Sequence, residues 1–148
     1  MDTSKAISTL NDLIETCRDG ENGFRTAAEG VKDAHVKALF QRFARQRTEL
    51  VKELQEEVRK LGGNPEQRGS VSGSLHRGWM NIKSLVTGRD DAAIIAEAER
   101  GEDVAKATYA KALQENLPAG VRTLIQTQAE IIRLAHDEVR TLEKAHTR

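Results

Sequence analysis

The sequence predicts an all-α protein made of two antiparallel helical hairpins joined by a long crossover. Three observations carry that expectation. Apolar residues recur at helical spacing over four long segments. The two prolines, Pro65 and Pro118, both fall between those segments. Helix-favouring Ala, Leu, Glu, Lys and Arg abound, while aromatics make up only 3%.

The first helix is expected over Ser4–Ala28. Ile7, Leu10, Leu13, Ile14, Cys17, Phe24, Ala28 and Val31 recur along one face. Gly30 reads as its stop and Asp33 as the N-cap of the next helix. That second helix is expected over Ala34–Leu61, its inner face running from Val36 through Phe40, Phe43, Leu50 and Leu54 to Leu61. "GGNP", Gly62–Pro65, ends it. The crossover, about 62–89, starts with the polar "GNPEQRGSVSGS" and continues into "LHRGWMNIKSLV". Val71, Leu75, Trp79, Ile82 and Val86 fall on one side of it, which predicts a short helix lying on the larger ones. The third long helix is expected over Asp90–Asn116. Pro118 then permits a tight turn into the fourth, Ala119–Ala145, with Val121, Ile125, Ile132, Ala135, Val139 and Leu142 facing inward. Short links within each hairpin and one long crossover between them predict the ferritin-like form of a four-helix bundle. The whole chain, 1–148, then reads as one domain, with hairpins at about 4–61 and 90–145.

Charge narrows the partners. Charged residues make up 31% of the chain and balance to a formal net charge of zero, so no basic footprint for nucleic acid is expected. No apolar run approaches membrane-spanning length, and the N-terminal "MDTSKAISTLNDLIE" lacks the apolar core of a signal peptide. The single cysteine, Cys17, cannot form an intrachain disulfide, and a reducing cytoplasm is the expected setting.

A shift of 81 positions aligns the two hairpins without a gap. It places Ile14 on Ile95, Gly20 on Gly101, Glu21 on Glu102, Glu57 on Glu138 and Val58 on Val139. One offset that serves both helices of each hairpin predicts a duplicated unit.

Four polar residues break the inner faces. Glu21 lies among Ile14, Cys17, Phe24 and Ala28, and Glu102 among Ile95, Ala98, Ala105 and Tyr109. Arg47 lies among Phe40, Phe43, Leu50 and Leu54, and Gln128 among Val121, Leu124, Ile132 and Ala135. The same shift maps Arg47 onto Gln128. Folding the hairpins at their turns brings all four within roughly two helical turns of one another. They are expected to form one buried layer, with the planar fork of Arg47 serving both carboxylates and Gln128 donating and accepting at the edge.

The rival expectation is a metal centre. Ferritin-like di-metal proteins take a glutamate from each of two helices and Glu-x-x-His from the other two. Glu21 and Glu102 occupy the first two places, but "RTEL" and "QAEI" supply no histidine at the required spacing. No cofactor is therefore expected; iron or manganese on Glu21, Glu102 and Glu99 is the alternative. Cys17 and Tyr109 are accessory candidates, since Arg47 nearby would favour a thiolate. His35, His76, His136 and His146 are scattered in sequence and form no cluster there. No phosphate-cradling loop or nucleophile elbow is present, so no catalytic residue is assigned.

"CRDGENGF", "RQRTEL", "GS…LHRGW" and "AERGEDVAKATY", in that order, resemble an uncharacterised bacterial family of ferritin-like four-helix bundles. The resemblance covers essentially the whole chain and implies the fold and a bacterial cytoplasmic setting, but no activity. The expectation is a non-enzymatic or degenerate member with a Glu/Arg/Gln layer where a di-iron site would stand. A homo-oligomeric interaction module is a further alternative.

Overall fold

The computed structural model describes residues 3–65 and 76–146. Among these residues the secondary structure is helical throughout, with no strand. Helix α1 spans Ser4–Gly30 and α2 spans Ala34–Lys60. A single 3-10 turn, His76–Trp79, precedes the short helix α3, Ile82–Gly88. Helices α4, Asp91–Ala112, and α5, Ala119–His146, complete the chain. None of the described helices is long and apolar enough to cross a membrane.

Local chemistry explains the ends. Asp33 accepts hydrogen bonds from the backbone N–H of His35 and Val36, so it caps α2 as its side chain predicts. At the other end Gly62 adopts φ 84°, and the N–H groups of Gly62 and Gly63 bond back to the carbonyls of Arg59 and Val58. That is the Schellman closure, in which only glycine takes the left-handed position without strain. Asp90 caps α4 in the same way as Asp33 caps α2.

Three expectations change. Gly30 is the last residue of α1 rather than a stop beyond it, and it serves packing: a Cβ there would sit 2.5 Å from Val86 Cβ. Helix α4 ends at Ala112, short of Asn116. Its chain leaves through turns at Leu113–Glu115, and Arg122 of α5 donates to the carbonyls of Leu113 and Glu115. The crossover forms two pieces rather than one helix. Its Trp79, Ile82 and Val86 pack inward, while Val71 and Leu75 lie outside the described residues.

Helix α1 packs along α2, α4 along α5, and α1 against α4; the 3-10 turn and α3 lie over α1 and α4. The core falls into two apolar clusters. One gathers Leu10, Leu13, Ile14, Leu54, Tyr109, Ile125 and Ile132, and the other Phe24, Phe40, Phe43, Trp79, Ile94, Ile95 and Val139. The break between them falls at the same level on three helices, after Cys17, after Ala44 and after Ala98. Polar residues occupy that level.

Candidate functional site

Arg47 sits on the apolar face of α2, one turn from Phe43 and one from Leu50, so helical phase leaves it no route to solvent. It is completely buried, as is Glu102 of α4. Nη1 and Nη2 of Arg47 donate to the two Glu102 oxygens at 2.7 and 2.6 Å. This is the two-pronged guanidinium–carboxylate geometry, the strongest hydrogen-bonded ion pair available to side chains. The guanidinium carbon lies 5.3 Å from the centre of the Phe24 ring, within cation–π range. Burial alone would lower the arginine pKa. The charge and hydrogen bonds of Glu102 outweigh it, and the net direction is upward. Arg47 is thus held as a cation in the core.

A second polar chain lies beside the pair. Cys17 Sγ and Tyr109 Oη are 3.0 Å apart, and Tyr109 donates to Gln128 Oε1 at 2.7 Å. Gln128 Nε2 donates to the Leu50 carbonyl at 3.2 Å and to Glu53 Oε1 at 2.9 Å. Cys17, Tyr109 and Gln128 are all buried, and the Tyr109 hydroxyl and the Gln128 amide both find hydrogen-bond partners in the protein. Burial is the largest influence on Cys17 and pushes its thiol up to about 11; Arg47 pulls it back only in part. The thiolate that a redox role needs is therefore disfavoured. Burial likewise raises Tyr109 well above its ordinary value.

The four residues do not join in one layer. Glu21 keeps a side-chain exposure of 21% and bonds to the Thr48 hydroxyl and to Arg25, the latter at 3.3 Å. Gln128 meets Tyr109 rather than Glu102. Axial position explains this: Gln128 lies ten residues after Pro118, level with Tyr109, nine before it, and not with Glu102, sixteen before it. Glu99 is also separate from the pair. It hydrogen-bonds to Glu143, and that bond, with burial and the neighbouring charges of Glu143 and Asp103, raises it to about 7.

The glycines of the two Gly-Glu pairs admit different neighbours. A Cβ on Gly20 would stand 2.8 Å from Arg47 Nη1. A Cβ on Gly101 would strike the indole of Trp79, and so would one on Gly23. The Trp79 ring thus lies between two backbones, with its edge against Phe24 at 5.0 Å between centroids. The 3-10 turn itself crosses close to α4: a Cβ on Gly78 would be 2.5 Å from the Gly101 Cα. Glu97, buried on α4, accepts from the Asn81 N–H at 2.5 Å and from Arg100 Nε at 2.9 Å, which ties the crossover down. Sequence reasoning placed Trp79 on the crossover stripe but missed Gly23 and Glu97. The Gly-x-x-Gly-Phe run, Gly20–Phe24, carries a local signal for that docking.

Comparison with protein families matches residues 5–115 to a family described as a domain of unknown function, DUF2383, and the chain belongs to it. Comparison with curated proteins finds no match.

Proposed function

From membership of that family, we propose that the chain is a degenerate, non-enzymatic ferritin-like four-helix bundle. It would be one domain over 1–148, with hairpins at about 4–61 and 90–145 and a crossover at about 62–89. The single observation that carries this reading is the Arg47–Glu102 pair. A guanidinium with no exposure occupies the level at which a di-metal bundle gathers carboxylates, and it uses both oxygens of Glu102. A fixed positive charge there repels a metal ion. Packing of α1 on α2, of α4 on α5 and of α1 on α4, with a crossover laid over α1 and α4, supports the bundle.

On this reading the pair performs a structural task. It neutralises the polar level between the two apolar clusters and ties α2 of one hairpin to α4 of the other. The alternative, iron or manganese on Glu21, Glu102 and Glu99, asks for ligands that are otherwise engaged. Glu102 serves Arg47 and Glu21 serves Thr48 and Arg25, while Glu99 groups with Asp103 and His136 instead.

Elemental analysis of protein purified without chelator tests the choice. The expected result is no iron or manganese that depends on the central glutamates. Stoichiometric metal that disappears in the Glu21→Gln/Glu102→Gln double variant would establish the di-metal reading instead.

A further inference from the structure

The seam between α4 and α5 carries a cluster that the central pair does not use. Glu99 and Asp103 stand four residues apart on α4, on one face of the helix. His136 reaches them from α5. One donor atom from each of Glu99, Asp103 and His136 lies within 4.8 Å of the others. Sequence position makes the meeting intelligible: Glu99 lies nineteen residues before Pro118 and His136 eighteen after it. We propose that Glu99, Asp103 and His136 bind a divalent transition cation of the Zn2+ class, with Glu143 beside them.

Four features support the proposal. The first is the donor set. One imidazole nitrogen with carboxylate oxygens matches Zn2+ and its neighbours better than Mg2+ or Ca2+, which take oxygen alone. The second is rigidity. His136 is only 4% exposed, so its ring is held by packing before any ion arrives. Its Nε2 faces Asp103 Oδ1 at 2.6 Å, and its Nδ1 has Asp137 Oδ1 at 3.4 Å. That places a carboxylate behind the imidazole on the side away from Asp103, the outer-shell arrangement that fixes the ring of a metal-bound histidine.

The third feature is independent of the cluster's own bonds. Glu99 Oε2 is sealed from solvent and has no hydrogen-bond partner. Glu99 is half-buried and its carboxyl bonds Glu143, so this oxygen is an acceptor left open to an ion. The fourth is reach. Zn–N and Zn–O bonds are about 2.0–2.2 Å, so two ligands of one ion stand at most about 4.4 Å apart. Rotation of the exposed Asp103 side chain would bring the observed spread toward that value. Asp103 is 59% exposed and leaves the ion an approach from solvent.

Binding would replace the Asp103···His136 hydrogen bond with two bonds to the ion and release the bridging proton where one is held. The site stands apart from Arg47 and Glu102, so its failure would leave the proposed role of that pair intact, and the reverse also holds.

The test is calorimetric titration of tag-free, chelator-treated protein with Zn2+, repeated with Co2+ to read coordination from its visible absorption. One saturable equivalent is expected for the natural sequence. Loss of an outer-shell partner alone weakens metal binding about 10–100-fold, so His136→Gln and Asp103→Asn should each weaken it about 100-fold. Glu21→Gln should leave it unchanged, and excess Mg2+ should not compete. Asp103 is exposed, so Asp103→Asn gives a folded variant even if His136→Gln perturbs packing; circular dichroism checks both. No saturable equivalent, affinity in the two seam variants unchanged from the natural sequence, or loss of binding in Glu21→Gln would each overturn the site.

Discussion

Gly20–Glu21 and Gly101–Glu102 are the same dipeptide on the same apolar flank of two helices, yet they meet different fates. Glu102 is sealed and takes both prongs of Arg47, while Glu21 stands at the rim with Thr48 and Arg25. Gly101 leaves room for the Trp79 indole, whereas Gly20 leaves room for the guanidinium. A single cation explains the split. Arg47 can form one coplanar two-pronged pair, and the carboxylate that wins it sinks into the core. The position matching Arg47 on the other hairpin is Gln128, which carries no charge to draw Glu21 inward.

The largest test of that contrast is stability. Glu102→Leu and Arg47→Leu should each cost about 3–5 kcal/mol, because each strands a buried charge. Glu21→Leu should cost no more than about 1 kcal/mol, as for an exposed ion pair. Urea denaturation measures all three, and equal losses at the two glutamates would erase the distinction. The Arg47→Leu/Glu102→Leu double variant should recover part of the single losses; strict additivity would mean the two side chains act independently.

The glycines give a smaller contrast. Gly101→Ala forces a methyl into the Trp79 ring and should cost about 1–3 kcal/mol. Gly20→Ala must displace Arg47 Nη1, the prong that donates to Glu102, and the gain of about 1 kcal/mol in helix propensity offsets only part of that. Thermal denaturation of both variants, alone and with Trp79→Leu, decides the point. The Gly101→Ala penalty should shrink in the Trp79→Leu background; a penalty of the same size there would point to some other contact.

Depth predicts reactivity as well. Cys17, one turn from Gly20 and raised to about 11 by burial, should resist iodoacetamide at pH 8 until the protein unfolds. Rapid labelling under native conditions would mean that the level around Arg47 opens.

The smallest effect concerns Glu99, one turn before Glu102. Its carboxyl is raised from 4.5 to about 7 in the folded protein, so the folded state binds more protons between those values. The associated stability is complete below pH 4.5 and is lost as pH rises through about 7. Glu143, Asp103 and His136 face Glu99 and act on its charge. In metal-free buffer Glu99→Gln should flatten the decline in stability between pH 5 and pH 8, and an unchanged slope would assign that decline to another group.

Much of this was legible one helix at a time. The inward phase of Arg47, Glu102 and Gln128 follows from a 3.6-residue period, and all three are buried. The cap at Asp33 follows from side-chain chemistry beside the first turn. His136 was harder to read, since its partners Glu99 and Asp103 lie more than thirty residues away and only the fold of α5 onto α4 unites them.

By itself, then, the sequence determined helix, phase and the presence of charge on apolar faces, because each depends on neighbours within one or two turns. Tertiary structure alone decided the pairing: Arg47 with Glu102, Gln128 with Tyr109, Trp79 between Gly23 and Gly101, and Glu21 at the rim. Pairing depends on axial offsets and distances between helices, which turns and the crossover set together. No local period encodes them.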